Sequence, residues 1–92
     1  MLIAVHANAE ALRRSEAGAS EPVVLTKRQA ECLKFAAQGK SDWAIGKILG
    51  ISARTVHNTI EHAKLRYGVS HRVQAVSRAL LDGAIEIDDL AG

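Results

Sequence analysis

Ser41-Asp42-Trp43-Ala44-Ile45-Gly46-Lys47-Ile48-Leu49-Gly50-Ile51-Ser52-Ala53-Arg54-Thr55-Val56 is the stretch on which the fold turns. Ser41 has the side chain of a helix N-cap, and Asp42 suits the positive end of the helix dipole, so a short helix is predicted to run to Leu49. Gly50 permits the positive φ that stops it. Ser52 then caps another helix only two residues later, which forces a sharp turn. Ile45 and Leu49, one turn apart, face the following helix, and Gly46 lets the two backbones approach. Ile51 plugs the corner and Val56 anchors the second helix. Each of these residues alone is bland packing. Together, in register, they specify a tight helix-turn-helix.

Working outward, the second helix of the pair is predicted over Ala53 to Tyr67. Its apolar residues Val56, Ile60, Ala63 and Tyr67 fall within about 60° of arc, which makes that face the core. Gly68 stops it, and Ser70 is the expected cap of a last helix, about His71 to Leu81, carrying Val73, Val76, Ala79 and Leu80 inward. Gly83 closes that helix, and Ala84-Ile85 fold back on the core. Upstream, Thr26 with Gln29 forms a capping box for a helix reaching about Gln38, with Ala30, Leu33, Ala36 and Ala37 inward and Gly39 as its stop. Cys32 lies near that stripe and reads as a small buried hydrophobe.

Before this core, Ala17-Gly18-Ala19-Ser20-Glu21-Pro22 has linker composition, and residues 3–14 form an alanine-rich helical candidate. The expected organisation is a helical segment 1–16, a linker 17–24, a helical domain 25–87 and an acidic tail 88–92. In all, 92 residues leave room for one modest core, and 48% hydrophobic against 24% charged argues against wholesale disorder. The 3% aromatic content disfavours readers that stack bases on aromatic side chains. One cysteine forms no internal disulfide and builds no zinc site, so the chain reads as intracellular. The N-terminus has neither the pattern of a signal peptide nor that of a membrane span.

The formal charge of +2 conceals a division. Residues 25–85 carry 10 basic against 4 acidic side chains, a net +6, whereas both flanks are acidic. Such an excess attracts polyanions. Nothing points to catalysis or to a metal: His57 and His62 are five apart and diverge on a helix, unlike an i, i+4 ligand pair, and no phosphate loop or nucleophile motif appears. No cofactor is expected.

The segment from Leu25 to Ile85 resembles the DNA-binding domain of the LuxR/GerE family of bacterial transcription regulators. The resemblance rests on Leu25-Thr26, Arg28, Glu31, Leu33, Gly39-Lys40-Ser41, Ile45, Leu49-Gly50-Ile51-Ser52, Thr55-Val56, Val69, Arg72, Ala75-Val76, Gly83 and Ile85. Gln29, Thr59 and Arg66-Tyr67 depart from the family pattern. The resemblance implies an all-α fold, a four-helix LuxR-type helix-turn-helix domain preceded by a short N-terminal helix and linker. It also implies a last helix that pairs two copies, here through Val73, Ala75, Val76 and Ala79, and a helix Ala53 to Tyr67 that enters the major groove of double-stranded DNA. Trp43 in its local phrase is similar to the branch that senses acyl-homoserine lactones in quorum sensing. Any such lactone would bind a domain absent from this chain, which would make the chain a fragment or a shortened gene product. RNA polymerase is a further partner in this reading, and the bacterial cytoplasm the expected place.

On the face opposite Val56, Arg54, Asn58, Glu61 and Leu65 lie at roughly 160°, 200°, 140° and 180°. Arg54, His57, Asn58 and Glu61 are the expected base readers: Asn58 suits adenine, Arg54 guanine or a phosphate, Glu61 a cytosine amino group. Phosphate contacts are expected from Lys40, Trp43, Thr55, His62, Lys64, Arg66 and Arg72, and from the helix N-termini at Ser41 and Ser52. Two other readings share this architecture: the output domain of a response regulator, and an interaction module that heterodimerises with a full-length regulator and blocks it.

Overall fold

Each helix start can be traced to a short polar device. Thr26 Oγ1 accepts the Gln29 N–H at 3.1 Å while Gln29 Oε1 accepts the Thr26 N–H at 3.0 Å, the two halves of the capping box that opens α1, Lys27–Ala37. Ser41 Oγ accepts the Ala44 N–H at 3.1 Å and opens α2, Asp42–Leu49. Ser52 Oγ accepts the Thr55 N–H at 3.0 Å and opens α3, Ala53–Tyr67. The computed structural model describes residues 22–86, so the expected helix at 3–14, most of the linker and the acidic tail lie outside the described residues. Among the described residues all regular structure is helical.

The last helix, α4, Arg72–Leu81, departs from expectation at its start and on its inner face. Its N-cap is His71, not Ser70: Gln74 Oε1 reaches back to accept both the His71 N–H at 2.9 Å and the Ser70 N–H at 3.1 Å, which shifts the first turn by one residue. Its buried stripe is Ala75 and Ala79, both wholly inaccessible, whereas Val73 is 69% exposed. The two alanines stand at i and i+4, and with so little side chain between them and the core the α4 backbone closes on its neighbours. Of the residues expected to meet a second copy of the chain, Ala75 and Ala79 thus have no surface of their own to offer. They are spent inside their own domain.

The core collects Cys32 and Leu33 of α1, Ile45 of α2, Val56, Ile60, Ala63 and Tyr67 of α3, Ala75 and Ala79 of α4, and Ile85. Ile85 is brought back by the turn after α4, where the Ala84 N–H donates to Ala79 O at 2.9 Å. Burial pushes the Cys32 thiol above its ordinary pKa, as suits a side chain used as a hydrophobe. Tyr67 buries its ring, and no partner among the described residues meets its hydroxyl.

The corner between α2 and α3 is the tightest feature. Gly50 sits at φ 73° and its N–H donates to Gly46 O at 2.8 Å, as does the Ile51 N–H at 3.0 Å. A Cβ on Gly46 would stand 2.5 Å from the Ile51 carbonyl oxygen and 3.3 Å from the Ala53 nitrogen. These are backbone atoms, which cannot step aside as a flexible side chain would. Gly46→Ala is therefore expected to cost about 2 kcal/mol or more, read as a lowered urea midpoint. A midpoint equal to the parent's would show that the corner has slack.

Candidate nucleic-acid interface

The orientation of α3 follows from its buried stripe. Val56, Ile60 and Ala63 are fully buried and Tyr67 nearly so, which turns the opposite side of the helix outward. Arg54, His57, Asn58 and His62 are exposed there, Glu61 is half-buried, and Leu65 is 76% exposed. The structure thus brings the four expected base readers onto one open face. Ser52 and Thr55 sit exposed at its N-terminus, their hydroxyls 2.9 Å apart. Lys40 and Ser41 are exposed ahead of α2, and Trp43 is 66% exposed with Lys47 Nζ 5.3 Å from its ring centre.

Three of the expected phosphate donors are already engaged by the protein. Lys64 Nζ donates to Glu61 Oε2 at 2.8 Å, and its side chain keeps only 17% exposure. Arg66 Nη2 donates to the Val24 carbonyl oxygen at 2.6 Å, tying the segment before α1 to the end of α3. Arg72 forms a two-point bridge to Asp42, Nη1 to Oδ1 at 2.7 Å and Nη2 to Oδ2 at 3.1 Å. Asp42 Oδ2 also lies 3.8 Å from His57 Nδ1. Asp42 was legible in the sequence only as a helix-dipole residue. Its role as the meeting point of three helices depends on an arginine 30 residues away.

Glu61 shows the electrostatics of this face. The Lys64 hydrogen bond, together with the charges of Lys64, His57 and Arg72, holds its carboxyl below the usual carboxylate range. It stays ionised, with one oxygen occupied by Lys64. The face as a whole offers donors from Arg54 and Asn58, acceptors from Asn58 and Glu61, and an imidazole. They ride on a rod of the width that fits the major groove of B-DNA. Among the described residues no group of three or more His, Cys, Asp or Glu could hold a metal ion, and no helix is long and apolar enough to cross a membrane.

Comparison with known proteins gives matches over this same region. The family model GerE, described as bacterial regulatory proteins of the luxR family, matches residues 23–79. The chain is 48% identical over 62 residues to the transcriptional activator protein LuxR of Aliivibrio fischeri, a match covering 67% of this chain and 25% of that protein. It is 39% identical over 74 residues to the transcriptional activator protein VanR of Vibrio anguillarum, covering 80% and 31% respectively. It is also 39% identical over 67 residues to the HTH-type quorum sensing-dependent transcriptional regulator VjbR of Brucella ovis, covering 73% and 26%. The matched part spans between about a quarter and a third of the length of these relatives.

Because the Glu61 carboxyl is held low in the folded chain, its contribution to stability is complete above the ordinary carboxylate range and is lost as pH falls through the folded-state value. Thermal melts of the parent and of Glu61→Gln should therefore differ slightly at neutral pH and converge in acid. A difference of unchanged size in acid would mean that Glu61 acts through packing instead of charge.

Proposed function

Because the chain belongs to the luxR family of bacterial regulatory proteins, we propose that residues 22–86 bind double-stranded DNA sequence-specifically, with α3 lying in the major groove. The observation that carries this reading is the exposure of Arg54, His57 and Asn58 on the side of α3 opposite its four buried residues. Had that side been covered by the chain's own atoms, no duplex could reach it.

In this reading Asn58 bonds an adenine edge through its amide, and Arg54 a guanine or the adjoining phosphate. His57 and Glu61 read neighbouring bases, Glu61 with the oxygen that Lys64 leaves open. The exposed groups Lys40, Ser41, Trp43, Ser52, Thr55 and His62 hold the phosphate backbone, where contacts fix register without reading sequence. Lys64, Arg66 and Arg72 would have to leave protein partners to join them, so they serve the fold first.

A single domain of this size reads few base pairs, and two copies on a near-palindromic operator supply what one cannot. The surface for such pairing is the outer side of α4, where Val73 and Leu81 are exposed and a groove of about 340 Å³ is lined by Ala36, Ala37, Arg72, Val73 and Val76. The full regulator is proposed to work in the bacterial cytoplasm with RNA polymerase as a further partner. It would be of the quorum-sensing type, as the name of the Brucella relative says of that protein. An acyl-homoserine lactone would then be bound outside residues 22–86.

Mobility shifts on an operator selected from random DNA test the helix-face assignment. Asn58→Ala and Arg54→Ala should each cost about 1–3 kcal/mol and flatten base preference, while Lys40→Ala weakens all sequences alike. Parent-like binding by both base-face variants overturns the assignment. For the pairing, a footprint should show two half-sites about one helical turn apart, and Val73→Glu should abolish the second without lowering the melting temperature. One copy protecting one site would refute the dimer.

A further inference from the structure

We propose that Asp42 is a positioning residue that fixes which hydrogen-bonding face His57 turns toward DNA, an inference that rests on α3 reading the major groove. A neutral imidazole has one N–H donor and one bare acceptor nitrogen, and whichever group faces one ring nitrogen decides what the other can do. The two nitrogens point to nearly opposite sides of the ring. His57 turns Nδ1 toward Asp42 Oδ2 at 3.8 Å, longer than a hydrogen bond but well within the range in which a carboxylate favours a proton on the facing atom. Nε2, on the far side of the ring, is then the acceptor.

The carboxylate is not free to turn away. Arg72 grips both of its oxygens in the two-point geometry that an arginine fork and a carboxylate share, and the oxygen nearest His57 is one of the two gripped. Asp42 is at the first position of α2, Arg72 at the first position of α4, and His57 in the second turn of α3. Their mutual placement is therefore set by the packing of three helices. On its own helix His57 has Arg54 three residues before it and Glu61 one turn beyond, the latter bonded to Lys64. At 25% side-chain exposure Asp42 is more covered than His57 at 54%, so the imidazole is the more accessible of the two to a duplex.

The consequence for recognition is a change of sign at one base. With Nε2 as an acceptor, His57 matches the amino group of adenine N6 or cytosine N4. With Nε2 as a donor it would match the guanine acceptors O6 and N7. A free imidazole prefers its proton on Nε2, so the state imposed by Asp42 is the less common one and is detectable.

Long-range nitrogen–proton correlation NMR of the uniformly ¹⁵N-labelled 92-residue chain, on the alkaline side of the histidine titration seen in the same spectra, reads the tautomer directly. The parent is expected to hold the His57 proton mainly on Nδ1, and Asp42→Ala to return it to Nε2. Arg72→Met, which removes the grip but leaves the carboxylate, should keep a smaller Nδ1 share than the parent and a larger one than Asp42→Ala. A parent with the proton mainly on Nε2 overturns the proposal even if the alanine variant does not fold. So does an Arg72→Met spectrum identical to that of Asp42→Ala, because the effect would then belong to helix packing. In selections from random DNA, Asp42→Ala should shift preference at one position from an amino-bearing base toward guanine by on the order of tenfold. Unaltered preference overturns the proposal. Failure of the parent itself to bind any DNA would instead defeat the reading of α3 and leave the NMR result to decide what Asp42 does to His57.

Discussion

The approach of two backbones at Gly46 is the constraint from which the rest of the domain follows. With only a hydrogen on that residue, α2 lies against the Ile51–Ala53 turn closely enough that a methyl group would fall 2.5 Å from a carbonyl oxygen. That distance, with the left-handed Gly50 and the Ser52 cap, fixes how α3 leaves the corner. The direction of α3 in turn determines that Val56 and Ile60 point inward and Arg54 and Asn58 outward. A looser corner would let α3 roll, and a roll of one residue, about 100°, would carry the outward residues more than halfway toward the core side. The face is specified by a steric contact as much as by hydrophobicity.

The core that this corner organises is small and partly built from small side chains. Leu33, Ile45, Val56 and Ile60 are the large wholly buried ones, each worth about 1.5–3 kcal/mol of burial, and Cys32, Ala63, Ala75 and Ala79 fill the space between them. Small residues contribute less area but allow α4 to lie close against the rest. Folding of so short a chain leaves a thin margin. Polar ties at the edges therefore matter: Arg66 holds the segment before α1 to the end of α3, and Arg72 with Asp42 joins the starts of α4 and α2.

Local features of the fold were legible in the sequence because their physics is local. The caps at Thr26, Ser41 and Ser52 each bond an N–H three residues on, and the buried stripe of α3 repeats at helical spacing within one element. The inner face of α4 was legible only in part, Ala79 being placed inward while Ala75 was missed and Val73 wrongly turned in, for the opposite reason. Val73, Val76 and Leu80 are the more hydrophobic residues, and only the closeness of the neighbouring helices explains why Ala75 and Ala79 are the ones buried. Engagement of the cations divides in the same way. Lys64 and Glu61 are three apart on one helix, a spacing that invites pairing. Arg72 with Asp42 and Arg66 with Val24 join positions 30 and 42 residues apart, which no periodicity reveals.

Those pairings also resolve a difficulty that the composition raises for a chain meeting a polyanion. Two carboxylates, Asp42 and Glu61, stand beside the outward face of α3, where uncompensated they would repel phosphates. Each is covered by a cation, Arg72 on one and Lys64 on the other, so neither presents a bare charge to a duplex. In the proposed complex the cover would remove two cations from the supply of phosphate donors and, in exchange, keep acceptors available on the outward face of α3. A surface of lysine and arginine alone would bind any duplex strongly and tell sequences apart poorly. Screened carboxylates beside Arg54, His57 and Asn58 trade part of that indiscriminate attraction for hydrogen-bonding character that depends on the base.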